Sequence, residues 1–313
     1  MGNMNKSYTT GSVTSKDGTK IGYRQMGSGP GIILLHGGIN ASQHLMKLGT
    51  KLSDEFTVYI PDRRGRGMSG PVGNNYSIER EDEDVDTLLK KTGTHYVFGT
   101  ADGALFALHA AISNHYIHKV AAYEPLVFAG QPGLDQFKAM IQHFDRDIFR
   151  GNVAAATVHI TKDSVKFFRP IPDFIAVPVV KLILWINARN VKDSDVSYQD
   201  LIPTLGDELH LVEKTEGTLE EYKDVSAEVL LLGGSKTEPI LKDSLSALNN
   251  VLPNSRLVEL QGLNHDSAQD YGKPKIIAHE LLRFFSADWL RKFFRFSIVW
   301  NYYLKFSIRM NHD

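Results

Sequence analysis

The chain has 313 residues, 42% of them hydrophobic, with 35 basic and 36 acidic side chains for a net charge of −1. That length buries a large core, in one large domain or two small ones, and the balanced charge gives no overall field to draw in nucleic acid or an anionic surface. The absence of cysteine excludes disulfides, thiolate catalysis and cysteine-ligated metal.

Met1 to Thr10 holds no apolar run of the kind a secretory signal needs. Gly2 hints at myristoylation, but Lys6 stands where that motif has Ser or Thr. The expectation is a soluble, cytoplasmic protein. Two alternating runs follow, Tyr8 to Thr14 and Lys20 to Met26, with Lys16-Asp17-Gly18 between them as a hairpin turn. Six short apolar runs come next: Gly31 to Leu35, Phe56 to Ile60, Tyr96 to Phe98, Val120 to Tyr123, Val229 to Leu232 and Arg256 to Leu260. Short continuous apolar runs point to strands covered on both faces, as in a parallel sheet. The segments between them have room for helices and carry helical periodicity, as in Leu105 to Ile112. Strand, turn and helix in repetition predict right-handed βαβ units and an α/β, mostly parallel, doubly wound sheet. Ligands on such sheets bind beyond the carboxyl ends of the strands.

The alternation stops between about Leu126 and Tyr222, a helix-rich stretch with Pro170, Pro172 and Pro178 and no clear strand. It reads as a helical cap inserted over the strand ends. Within it, Phe174 to Asn187 is apolar but is interrupted by Pro178 and Lys181 and is too short to span a bilayer. The expected organisation is a core of residues 1–125 and 223–285, a cap of residues 126–222 and an extension over 286–313.

Four sequence features fall just after apolar runs. His36-Gly37-Gly38 follows the first of these six runs, Asp62-Arg63-Arg64-Gly65-Arg66-Gly67-Met68-Ser69 the second, Gly99-Thr100-Ala101-Asp102-Gly103 the third, and Gly262-Leu263-Asn264-His265 the last. Together they resemble the α/β-hydrolase superfamily over roughly residues 8 to 285. Its nucleophile elbow is G-x-S-x-G between a strand and a helix; here Gly99 and Gly103 match and Ala101 stands at the serine position. The resemblance implies that the Gly38 and Asp102 amides form an oxyanion hole and that His265 is the catalytic histidine. It puts the acid either directly after the strand that follows the elbow, at Glu124, or near the turn holding Glu238. Glu124 is favoured because Pro125 pins its turn. The Asp62 to Ser69 loop is expected to turn the chain and to carry no chemistry. The other histidines, among them His109, His115 and His118, show no metal-ligand pattern.

Alanine offers no nucleophile, so three readings stand. In the first, the chain is a serine hydrolase for a small ester, lactone or similar acyl substrate, with Ala101 an incidental or introduced loss. In the second, it is a non-catalytic pseudo-hydrolase that binds a small apolar ligand. In the third, Asp102 is the nucleophile, as Asp is in the haloalkane dehalogenase and epoxide hydrolase branches. No metal, nucleotide or organic cofactor is implied, nor any nucleic-acid partner. The extension interleaves Trp289, Phe293, Phe294, Phe296, Trp300, Tyr302, Tyr303 and Phe306 with Arg291, Lys292, Arg295, Lys305 and Arg309. It is expected to pack on the body, to contact a second copy, or to lie on a membrane surface.

Overall fold

The computed structural model describes residues 7–130, 133–164, 168–192 and 194–286. Eight strands form one sheet: β1 Thr9–Thr14, β2 Lys20–Met26, β3 Gly31–Leu35, β4 Thr57–Pro61, β5 Tyr96–Thr100, β6 Lys119–Tyr123, β7 Glu228–Gly234 and β8 Ser255–Leu260. Their spatial order is β1-β2-β4-β3-β5-β6-β7-β8. β1 and β2 pair antiparallel, as do β2 and β4, and every pair beyond is parallel. The mostly parallel α/β sheet expected from the apolar runs is therefore the fold of this chain.

The helices around the sheet are α1 Met46–Leu52, α2 Ile78–Thr92, α3 Asp102–Ser113, α9 Pro239–Val251 and a last helix, α10, over 274–286. Two cores lie on the two faces. Along β6, Val120 and Ala122 join the core shared with α2, α3 and α9, while Ala121 and Tyr123 join the one shared with α1 and α10. A strand alternates its side chains between faces, so a strand covered on both sides reads as unbroken apolar sequence. All five residues of β6 are buried. The edge strand β8 departs from that pattern, with Arg256, Leu257 and Glu259 exposed and only Leu260 buried.

Between β6 and β7 the chain leaves the sheet for α4 Leu134–Phe149, α5 Val153–Ser164, α6 Asp173–Arg189, α7 Tyr198–Leu201 and α8 Leu205–Glu213. This insertion has its own small core of Ile141, Phe144, Ala156, Leu184, Ile202 and Leu209, against which Ile39 of the loop after β3 packs. Among the described residues no helix is long and apolar enough to cross a membrane. The aromatic and basic extension, apart from Ser286, lies outside the described residues.

Candidate active site

At the carboxyl end of β5 the chain reverses into α3 through Ala101, whose backbone sits at φ 52°, ψ −122°. A non-glycine residue there carries a strain of about 1–3 kcal/mol. The flanking glycines make so tight a turn possible. A Cβ on Gly99 would lie 2.1 Å from the Gly103 carbonyl oxygen, and one on Gly103 would lie 2.5 Å from those of Leu35 and His36. The Ala101 N–H donates to the Tyr123 carbonyl (2.9 Å), and its own carbonyl accepts from Ala104 and Leu105 to start the helix. Ala101 is thus the apex of a sharp strand-to-helix turn and presents only a methyl group.

One strand over, Glu124 follows Tyr123, the register partner of Thr100. Its φ is 51°, and with Ala101 it completes the set of positive-φ non-glycine residues in the described chain. Its side chain is fully buried. One carboxylate oxygen, Oε1, accepts from the Gly234 N–H (2.8 Å) and from the Thr237 hydroxyl; the other, Oε2, lies 2.8 Å from His265 Nδ1. Burial favours the neutral acid, but these hydrogen bonds and the His265 charge outweigh it and hold the carboxyl below its usual range. The His265 side chain is 42% exposed; partial desolvation favours its neutral form, but the hydrogen bond and charge of Glu124 outweigh that and raise the imidazole above its ordinary value. The bond to Nδ1 fixes the tautomer and leaves Nε2 as the nitrogen available to the elbow. Glu238, the other candidate acid, is exposed at the residue before α9 and its side chain makes no capping hydrogen bond there.

The loop after β3 closes the opposite side. A Cβ on Gly37 would meet the Ala101 methyl at 2.9 Å, and one on Gly38 would lie 2.6 Å from Leu205 and 2.8 Å from Asp102 Oδ2. Only glycine lets backbone amides approach the apex so closely. His36, wholly buried, holds that loop to the next one. Its Nε2 accepts from the Arg63 N–H (3.1 Å), so Nδ1 carries the proton and donates to the Gly37 carbonyl (2.9 Å). Burial, then the charges of Arg66 and Arg63, keeps this imidazole neutral.

The Asp62 to Ser69 loop does turn the chain: Asp62 accepts from the N–H groups of Ser42 (2.7 Å) and Met68 (3.0 Å). It also carries a buried ion network. Arg63 grips Glu81 with two hydrogen bonds (3.1 and 3.0 Å), and both Arg63 and Arg66 reach Glu208 Oε1 of α8, at 2.6 and 2.7 Å. The second carboxylate oxygen of Glu208, a residue only 2% exposed, lies beside Gly38, as does Asp102 Oδ2. A carboxylate this close to a second one is harder to ionise. Burial first and the Glu208 charge second push Asp102 up to about 7. No residue spacing announces a contact between positions 63 and 208; the one available signal was the run of three arginines in a loop beside the expected site.

Ala101, Glu124, His265, Gly38 and Asp102 thus come from four separate chain segments to one end of the sheet. Among the described residues no group of three or more His, Asp and Glu side chains is placed to hold a metal ion.

The alpha/beta hydrolase family model matches residues 32–278. An uncharacterized hydrolase, YraK, of Bacillus subtilis is 32% identical over 115 residues, a match covering 35% of this chain and 42% of that relative's length. The 2-(acetamidomethylene)succinate hydrolase of Mesorhizobium japonicum is 22% identical over 258 residues, 78% of this chain and 84% of that protein. Among solved structures, an alpha/beta hydrolase of Sphaerobacter thermophilus superposes with a TM-score of 0.68 at 25% identity, over 88% of this chain and all of that one. The enol-lactonase of Burkholderia xenovorans superposes with a TM-score of 0.66 at 16% identity, over the same shares.

Proposed function

The chain belongs to the alpha/beta hydrolase family, and from that premise we propose that Ala101, Glu124 and His265 form the acyl-transfer centre of an esterase- or lactonase-type hydrolase lacking only its nucleophilic oxygen. The observation that carries this reading is the Glu124–His265 pair, 2.8 Å apart, set beside an elbow that keeps its strained backbone at φ 52° although an alanine occupies it. A buried carboxylate at the end of the strand next to the elbow, accepting from a histidine brought in from the end of β8, is the arrangement that orients a general base and stabilises its imidazolium.

With a serine oxygen at position 101, His265 Nε2 would take the hydroxyl proton as the oxygen attacks an acyl carbon, and would later return it to the leaving group. The amides of Gly38 and Asp102 would hold the developing oxyanion. Helices α4 to α8 would act as a cap over the site and shape a pocket for one small, fairly apolar substrate. The hydrolase relatives act on an acetamidomethylene-succinate and an enol-lactone by their names, which supports a small acyl compound as the class. Asp102 is a poor alternative nucleophile: its carboxyl is turned toward Gly38 and Glu208 rather than set at the apex, and its raised pKa keeps much of it protonated near neutral pH.

The test is Ala101→Ser, assayed on p-nitrophenyl butyrate. Loss of a triad serine costs most of the catalysis and leaves the contribution of binding and the oxyanion hole, so the substitution is expected to raise kcat on the order of 10³-fold or more. Adding Glu124→Gln to it is expected to remove most of the gain. No gain at Ala101→Ser, in a protein that still binds small acyl compounds, would favour the non-catalytic reading.

A further inference from the structure

Helix α6 is the least explained part of the surface. Its inward residues Val177, Val180 and Leu184 pack in the core of the insertion. Its other sides carry large apolar residues that the rest of the molecule leaves open: Phe174 is 78% exposed, Ile183 57%, Leu182 56%, and Val179, Trp185 and Ile186 about half. Isolated exposed apolar side chains are ordinary, but a contiguous field of them on one helix marks a surface that something else covers. A helix apolar on every side belongs in a core or in lipid. At 17 residues α6 is about 25 Å long, short of a bilayer span, and Lys181 sits at its middle. It can lie on a bilayer but not cross one.

We propose that the outward face of α6 docks on the surface of an anionic lipid bilayer. Charge selects this occupant over a second copy of the chain. Between residues 168 and 192 there are four basic side chains (Arg169, Lys181, Arg189 and Lys192) and a single acid, Asp173, on a chain whose total charge is −1. Asp173 is already bonded to Lys162. The apolar helix is therefore also the centre of a local positive field, the combination that interfacial helices use on anionic lipid. At its carboxyl end the Arg189 guanidinium lies 3.8 Å over the Trp185 ring, an amphipathic pair suited to headgroup depth. Two copies joined about a two-fold axis on this face would lay Lys181 against the partner's Lys181 in a desolvated seam, which costs more than it returns. On a bilayer the same lysine reaches lipid phosphate.

The test uses the full chain with Trp289→Phe and Trp300→Phe, which leaves Trp185 as the sole tryptophan of the original three. With vesicles of phosphatidylcholine and phosphatidylglycerol, Trp185 emission is expected to shift to the blue and to be quenched by brominated acyl chains. Phosphatidylcholine vesicles alone should give neither effect. Ile183→Glu is expected to abolish the response, and Lys181→Ala to weaken binding about fivefold, at one basic side chain's share of about 1 kcal/mol. Circular dichroism checks that each variant folds; if Ile183→Glu does not, the Lys181→Ala titration and the Trp185 response still decide. Three results would overturn the proposal: no binding to anionic vesicles; binding with Trp185 emission unchanged, which places the contact elsewhere on the chain; or a stable dimer by sedimentation that Ile183→Glu dissociates. None of these readings depends on catalysis.

Discussion

Asp102 gives up its proton near 3.8 in the unfolded chain and only at about 7 in the fold, because burial and then the Glu208 charge oppose its ionisation. Between those values the native state binds the extra proton, so this group lowers stability as pH rises, and above about 7 its cost is complete. Asp102→Asn keeps the size of the side chain and removes the ionisation. The variant is therefore expected to melt higher than the parent chain at pH 8 and to match it near pH 3. Melting curves separated by the same interval at both pH values would show that Asp102 ionises freely. His265 acts in the same direction: its raised pKa contributes stability at low pH that is lost as pH rises through the folded value. At this scale the sequence was informative where glycine or position spoke, as at Ala101 between Gly99 and Gly103. It was silent where a side chain's role depends on a distant neighbour. Nothing near Glu124 announced that the Thr237 hydroxyl and the Gly234 amide would take one of its oxygens and leave the other for His265. The sequence favoured Glu124 over Glu238 through Pro125 alone, and the partners of its two oxygens lie more than 100 residues away in the chain.

The loop from Asp62 to Ser69 and helix α8 are joined through Glu208, which is ion-paired with Arg63 and Arg66 inside the protein. Removing one member of a buried ion cluster leaves its partners charged and unsolvated. Arg63 keeps the Glu81 carboxylate, whereas Arg66 keeps a hydrogen bond to the Thr204 hydroxyl, at 2.9 Å. Glu208→Ala is accordingly expected to destabilise the chain by about 3 kcal/mol, read as a lower denaturant midpoint with an unchanged slope. A midpoint within error of the parent would mean that the network is not closed in solution. The strands were legible because burial on both faces leaves no polar residue to break the run, as in Val120 to Tyr123. The helices of the insertion were legible only as a helix-rich stretch. Their order and contacts rest on side chains such as Ile141, Leu184 and Leu209 meeting across some 70 residues, a separation that no local pattern encodes.

Across the whole molecule, the parallel strands put the loops after β3, β5, β6 and β8 at one end of the sheet. That much could be read from the sequence, because each loop follows an apolar run and carries residues with a chemical reason to be there. The shape of the pocket could not, since it depends on how α4 to α8 sit over the strand ends. The most direct measurement of whether these loops form one reactive centre is intact-protein mass after exposure of Ala101→Ser to a fluorophosphonate. A single phosphonyl adduct on residue 101, absent from the parent chain and lost again when His265→Ala is added, is the expected result. An unlabelled Ala101→Ser protein, or labelling that persists without His265, would contradict the shared centre.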